Sequence, residues 1–101
     1  MPEPAPAVIT LADNGNTFLL HPGESFLLEL GNMLIWTVEI DNTEVLSRVK
    51  NLAVIVGAQG VYVANRLGQA TLSAVGDPAC RKSNPPCMAP SMIFRIVVVV
   101  Q

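Results

Sequence analysis

Short apolar segments, each broken by turn residues after a few positions, leave this chain few ways to bury its hydrophobic side chains. No stretch keeps helical periodicity over three turns, because proline and glycine interrupt every candidate. Alternation with a period of two recurs instead. Phe26, Leu28 and Leu30 share one face of the segment 25–30. Leu34, Trp36, Val38 and Ile40 share one face of 33–40, with Thr37 and Glu39 on the other. Phe94, Ile96, Val98 and Val100 do the same over 92–100, where the opposite face (Ile93, Arg95, Val97, Val99) is also mostly apolar. That period belongs to extended strands. Further strands are predicted over 7–11, 17–20, 51–56, 61–65 and 69–75, and 44–50 reads as a short strand or an irregular crossing. Asp13-Asn14-Gly15-Asn16 carries a hairpin signal, since Asn and Gly tolerate the positive φ of primed turns. Pro22-Gly23 suits a type II turn.

About eight short strands in 101 residues, with turn signals about every 8–12 positions, predict an all-β fold: an immunoglobulin-like antiparallel β-sandwich of about seven to nine strands. A small barrel is the alternative architecture. Trp36, the only tryptophan, is placed for the core of a central strand. One domain is expected over 8–101. The alternating prolines of 1–7 read as an extended linker, so the chain is expected to be a mature segment of a longer exported protein.

Composition removes several classes of function. Half the residues are hydrophobic, which excludes intrinsic disorder. The longest uncharged apolar runs, 52–56 and 96–100, are far short of the ~20 residues of a membrane helix. Eight acids against six bases give a net charge of -2, which favours neither nucleic acid nor an anionic membrane as partner. The aromatics fall mostly at core-facing positions (Phe26, Trp36, Phe94) and are not interleaved with basic residues. His21 is the sole histidine and precedes Pro22, which reads as an exposed turn residue. There is no nucleophile elbow, phosphate-cradling glycine loop, zinc-protease helix motif or calcium loop. Glu39, Asp41 and Glu44 read as solvated charges at a strand end. The expectation is a non-enzyme without cofactor or metal.

Cys80 and Cys87 lie among Pro, Asn, Ser, Arg and Lys, a loop composition that favours a local disulfide. Closing such a short ring contributes roughly 2–3 kcal/mol in the chain-entropy model. It points to an oxidising compartment: secreted, periplasmic or cell surface. The segment 76–91 is the longest without strand pattern and is stiffened by Pro78, Pro85, Pro86 and Pro90. Two readings stand for it. It either binds a partner, with Arg81, Lys82, Ser83, Asn84, Pro85, Pro86 and Met88 as the contacts, or merely covers one end of the sandwich. Gly57, Ala58, Gln59 and Gly60 form a second candidate loop. The last strand, apolar on both faces, is either central or covered by another chain through strand addition or self-association at an edge.

The order of signals resembles the chagasin-type cysteine-protease inhibitors. The resemblance runs through Thr10-Leu11, Asp13-Asn14-Gly15, Thr17, Leu20, Pro22-Gly23-Glu24, Phe26, Leu28, Leu30 and Trp36-Thr37-Val38. It continues through 61–64, Leu67-Gly68, Ala70-Thr71-Leu72 and 94–100. Bacterial surface immunoglobulin-like modules share the Val45-Leu46-Ser47 and Gly68-Gln69-Ala70-Thr71-Leu72 arrangements. The inhibitor resemblance implies an immunoglobulin-like sandwich that blocks papain-like enzymes with three loops at one end. The loop motifs themselves differ. Gly31-Asn32-Met33-Leu34 stands where the family carries Asn-Pro-Thr-Thr-Gly. Gly57-Ala58-Gln59-Gly60 keeps only the outer glycines of a Gly-x-Gly-Gly loop, and the cysteine loop replaces Arg-Pro-Trp. The expected function is a non-enzymatic extracytoplasmic protein-binding module, with inhibition of a papain-type protease as one form. A structural or adhesive domain of a surface protein or assembly is the other.

Overall fold

A computed structural model of the chain describes residues 3–50, 56–78, 80 and 90–101. In chain order the strands are β1 (Glu3–Pro4), β2 (Val8–Thr10), β3 (Thr17–Leu20), β4 (Ser25–Glu29) and β5 (Leu34–Ile40). They are followed by β6 (Leu46–Arg48), β7 (Gly60–Ala64), β8 (Gly68–Pro78) and β9 (Met92–Val100). One sheet has the order β1-β3-β9-β8-β5 and the other β2-β4-β7-β6. This is the expected immunoglobulin-like sandwich.

Alternating side chains of both sheets meet in one core. Phe18, Leu20, Phe94, Ile96, Val98, Val100 and Leu72 come from the first sheet, and Ile9, Phe26, Leu28, Leu46 and Tyr62 from the second. No polar or charged residue among those described is buried. Burying a side chain such as Phe94 contributes about 1.5–3 kcal/mol. β8 sits between β5 and β9 and, beyond Leu72, faces the core with the small Ala74 and Gly76. Val38, Ala74 and Phe94 lie in one cross-strand row, and Trp36, Gly76 and Met92 in the next. A Cβ on Gly76 would stand 2.9 Å from Cζ3 and Cη2 of Trp36 and 2.8 Å from Cδ1 of Leu34. Glycine at this strand position is therefore room for an indole ring.

Several expectations need correction. Four strand pairs are antiparallel, but β1–β3, β2–β4 and β3–β9 are parallel. The Asp13–Asn16 signal does not close a hairpin, because β2 and β3 lie in different sheets. Its polar groups bond to β9 instead. Gly15 N–H donates to Arg95 O at 2.7 Å, Arg95 N–H donates to Asn14 Oδ1 at 2.9 Å, and Val97 N–H donates to Asn16 O at 3.1 Å. A 3₁₀ turn over Leu11–Asp13 makes the crossing. The segment expected as a linker adds a strand, since β1 pairs with Phe18 and Leu19 and Ala5 packs on the core. Trp36 is half-buried rather than central, because β5 ends its sheet and β6, the terminal strand opposite, is only three residues long. The predicted strand over 51–56 lies outside the described residues except for Val56, which is in a turn.

Other expectations hold. β9 is central, between β3 and β8, so its second apolar face does not mark a sheet edge. The His21–Glu24 turn closes with Glu24 N–H donating to His21 O at 3.0 Å, and Gly23 takes φ 91° as a type II turn requires. The Glu24 carboxylate accepts the His21 backbone N–H at 2.7 Å and meets its ring nitrogen at 2.9 Å, which holds this carboxyl below its ordinary range.

Replacing Gly76 with Ala is expected to displace the Trp36 ring and destabilise the fold by about 1–3 kcal/mol, the usual cost of overpacking. Urea unfolding followed by the emission of the single tryptophan reads both effects at once.

Candidate functional site

Three connections converge on one end of the sandwich. Residues 30–33 join β4 to β5, 49–59 join β6 to β7, and 79–91 join β8 to β9. The register fixes the convergence: Leu28 stands opposite Gly60, Leu34 opposite Pro78, and Gly76 opposite Met92. The turns over 21–24, 41–45 and 65–67 lie at the far end.

The first two connections are tied together by hydrogen bonds. Gly31 N–H donates to Gly57 O at 2.8 Å, and Gln59 N–H donates to Leu28 O at 2.7 Å. The Gln59 carboxamide completes the clamp: its Oε1 accepts the Leu30 N–H, and its Nε2 donates to Gly31 O at 3.0 Å. Backbone groups that leave the β-ladder where β4 ends are thus satisfied by one side chain. Gly57 lies close enough to Gly31 that its Cβ would be 3.6 Å from the Gly31 Cα, and its φ of 94° suits glycine. The third connection is drawn together at its base by Ser91 Oγ, which donates to Asp77 Oδ1 at 2.6 Å.

The predicted site residues divide accordingly. Gly57, Ala58 and Gln59 are half-buried and Gly60 is buried as the first residue of β7. They hold the loop in place, with the Gln59 side chain engaged inside the chain. Arg81, Lys82, Ser83, Asn84, Pro85, Pro86 and Met88 lie outside the described residues. Cys80 is exposed and is not a free thiol, and Cys87 lies outside the described residues. Gly76, Asp77 and Pro78, read from sequence as loop, belong to β8.

Two residues at this end escaped the sequence reading. Met33 is 86% exposed and Val56 83% exposed, the highest values among the exposed large hydrophobic residues described. Met33 follows a Gly-Asn pair and Val56 precedes a glycine, so each stands beside a turn that lifts it out of the alternating pattern.

The acidic residues near the far end have structural partners. Asp41 Oδ1 accepts the Thr71 N–H at 2.7 Å, and Glu44 faces Arg66 at 4.0 Å. Among the described residues, no group of three or more His, Cys, Asp or Glu side chains is placed to hold a metal ion.

Among solved structures, the chain is similar to the cysteine protease inhibitor EhICP2 of Entamoeba histolytica, with a TM-score of 0.69 and 13% identity over 93% of each chain. It is also similar to amebosin, with a TM-score of 0.59 and 21% identity over 96% of this chain and 100% of that one. At these identities the likeness is one of fold. No protein-family model matches the sequence, and no curated protein matches it.

Replacing Gln59 with Ala would leave the Leu30 N–H without its acceptor, at a cost of about 1–3 kcal/mol. Amide exchange measured by NMR is expected to accelerate at Leu30 while Leu72, in the core of β8, keeps its protection.

Proposed function

We propose that this chain is a non-enzymatic, extracytoplasmic module that binds a papain-type cysteine protease through its loop end and inhibits it. The observation that carries this reading is the position of Met33 and Val56. Two strongly exposed apolar side chains stand on the two connections that Gln59 clamps together, at the end where the resemblance places inhibitory loops. Similarity in fold to EhICP2 across nearly the whole of both chains supports it. A pre-ordered loop end reduces the entropy lost on association. The Cys80–Cys87 disulfide, as proposed, adds to that order in the third loop, and Arg81, Lys82 and Met88 extend the contact. A first loop as short as 30–33 presents one methionine in place of a longer family motif, so the apolar contact is divided between Met33, Val56 and the third loop.

A second reading has its own observation. Ile35, Val75 and Ile93, respectively 42%, 41% and 63% exposed, lie on the outer face of the β5-β8-β9 sheet. Such a face suits a structural or adhesive domain that associates with another copy or with a surface assembly.

The purified chain is expected to inhibit a papain-like enzyme at about micromolar concentration or below. Met33→Asp, or scrambling residues 81–86, is expected to weaken inhibition about tenfold, equivalent to about 1.4 kcal/mol. Absence of inhibition, together with concentration-dependent self-association in sedimentation, would instead establish the structural reading.

A further inference from the structure

The side of the sandwich between β5 and the β6–β7 pair carries a groove of about 910 Å³. That lies within the range of small-molecule clefts, about 300–1,000 Å³. Its floor is apolar, formed by Trp36, Val38, Ile40 and Tyr62, and its rim carries Arg48 and Lys50. Phe26 stacks on Tyr62 with ring centroids 5.7 Å apart, which holds the tyrosine in the floor.

Two features of the groove select a ligand. The first is charge. Arg48 and Lys50 are exposed on one rim of a chain whose net charge is -2, and the Arg fork matches the two oxygens of a carboxylate. The second is amphipathic lining: Trp36, Val38, Ile40 and Tyr62 offer an apolar surface to a hydrocarbon body, while Thr43, Ser47 and Gln59 add polar groups.

We infer that this groove binds a small amphipathic carboxylate, with its hydrocarbon chain along Trp36, Val38 and Ile40 and its carboxylate at Arg48 and Lys50. The groove borders the loop end through Ala58 and Gln59, but its test reads small-molecule binding and does not depend on inhibition.

Decanoate, kept below its micellar concentration, is the probe, and the emission of the single tryptophan is the readout. A saturable change in Trp36 emission is expected. The double variant Arg48→Glu, Lys50→Glu is expected to lower decanoate affinity about tenfold, while decanol, which has the same chain without the charge, binds both proteins within about twofold of each other. Should that variant fail to fold by circular dichroism, Arg48→Gln with Lys50→Gln supplies the same comparison, with an expected loss of about threefold. Two results would overturn the inference. One is unchanged Trp36 emission on addition of decanoate. The other is equal decanoate affinity in the wild type and the charge variants.

Discussion

The small side chains of β8 set the spacing on which the rest of the molecule depends. Ala74 and Gly76 leave space that Val38 and Trp36 occupy from one side and Phe94 and Met92 flank from the other. Alternating large and small residues across neighbouring strands lets a sheet pack densely without strain. Because β5 and β9 are both registered on β8, this strand also determines where the loops at their ends emerge. Leu34 begins β5 opposite Pro78, and Met92 begins β9 opposite Gly76. A shift of one residue would turn every side chain of a strand to the wrong face, so the core and the position of the loop end are fixed together.

The loop end is held by a different kind of interaction. Its first two connections are joined by the Gln59 carboxamide and by backbone bonds from Gly31 to Gly57 and from Gln59 to Leu28. These bonds restrain the backbone beneath Met33 and Val56 while leaving both side chains in solvent. A rigid support beneath exposed apolar groups is what an interface needs to avoid a large ordering cost on binding. The groove beside Trp36 has another origin: the terminal strand β6 is shorter than β5 across from it, so part of the inward face of β5 is not covered by that strand.

Much of the fold was legible in the sequence because sandwich strands announce themselves by alternation. The faces assigned to Phe26 and Leu28, and to Phe94, Ile96, Val98 and Val100, are the ones that enter the core. What local signals do not encode is which sheet a strand joins. Asn14-Gly15 has the composition of a hairpin turn, yet its bonds are made to Arg95, far away in sequence. Gly76 and Pro78 read as loop residues because the reason for the glycine is the ring of Trp36, a tertiary contact. At the candidate site the glycines at 57 and 60 and the glutamine between them were visible, but their role as supports was not. That role depends on Leu30 and Gly31, which come near them only when β4 pairs with β7.

The most direct test of recognition at the loop end is to map backbone amide shifts of the labelled protein by NMR on adding a catalytically inactive papain-type protease. Perturbations are expected to cluster at 30–33, 56–60 and 79–91. Shifts confined to the far-end turns at 21–24 and 65–67, or no shifts at saturating protease, would contradict it.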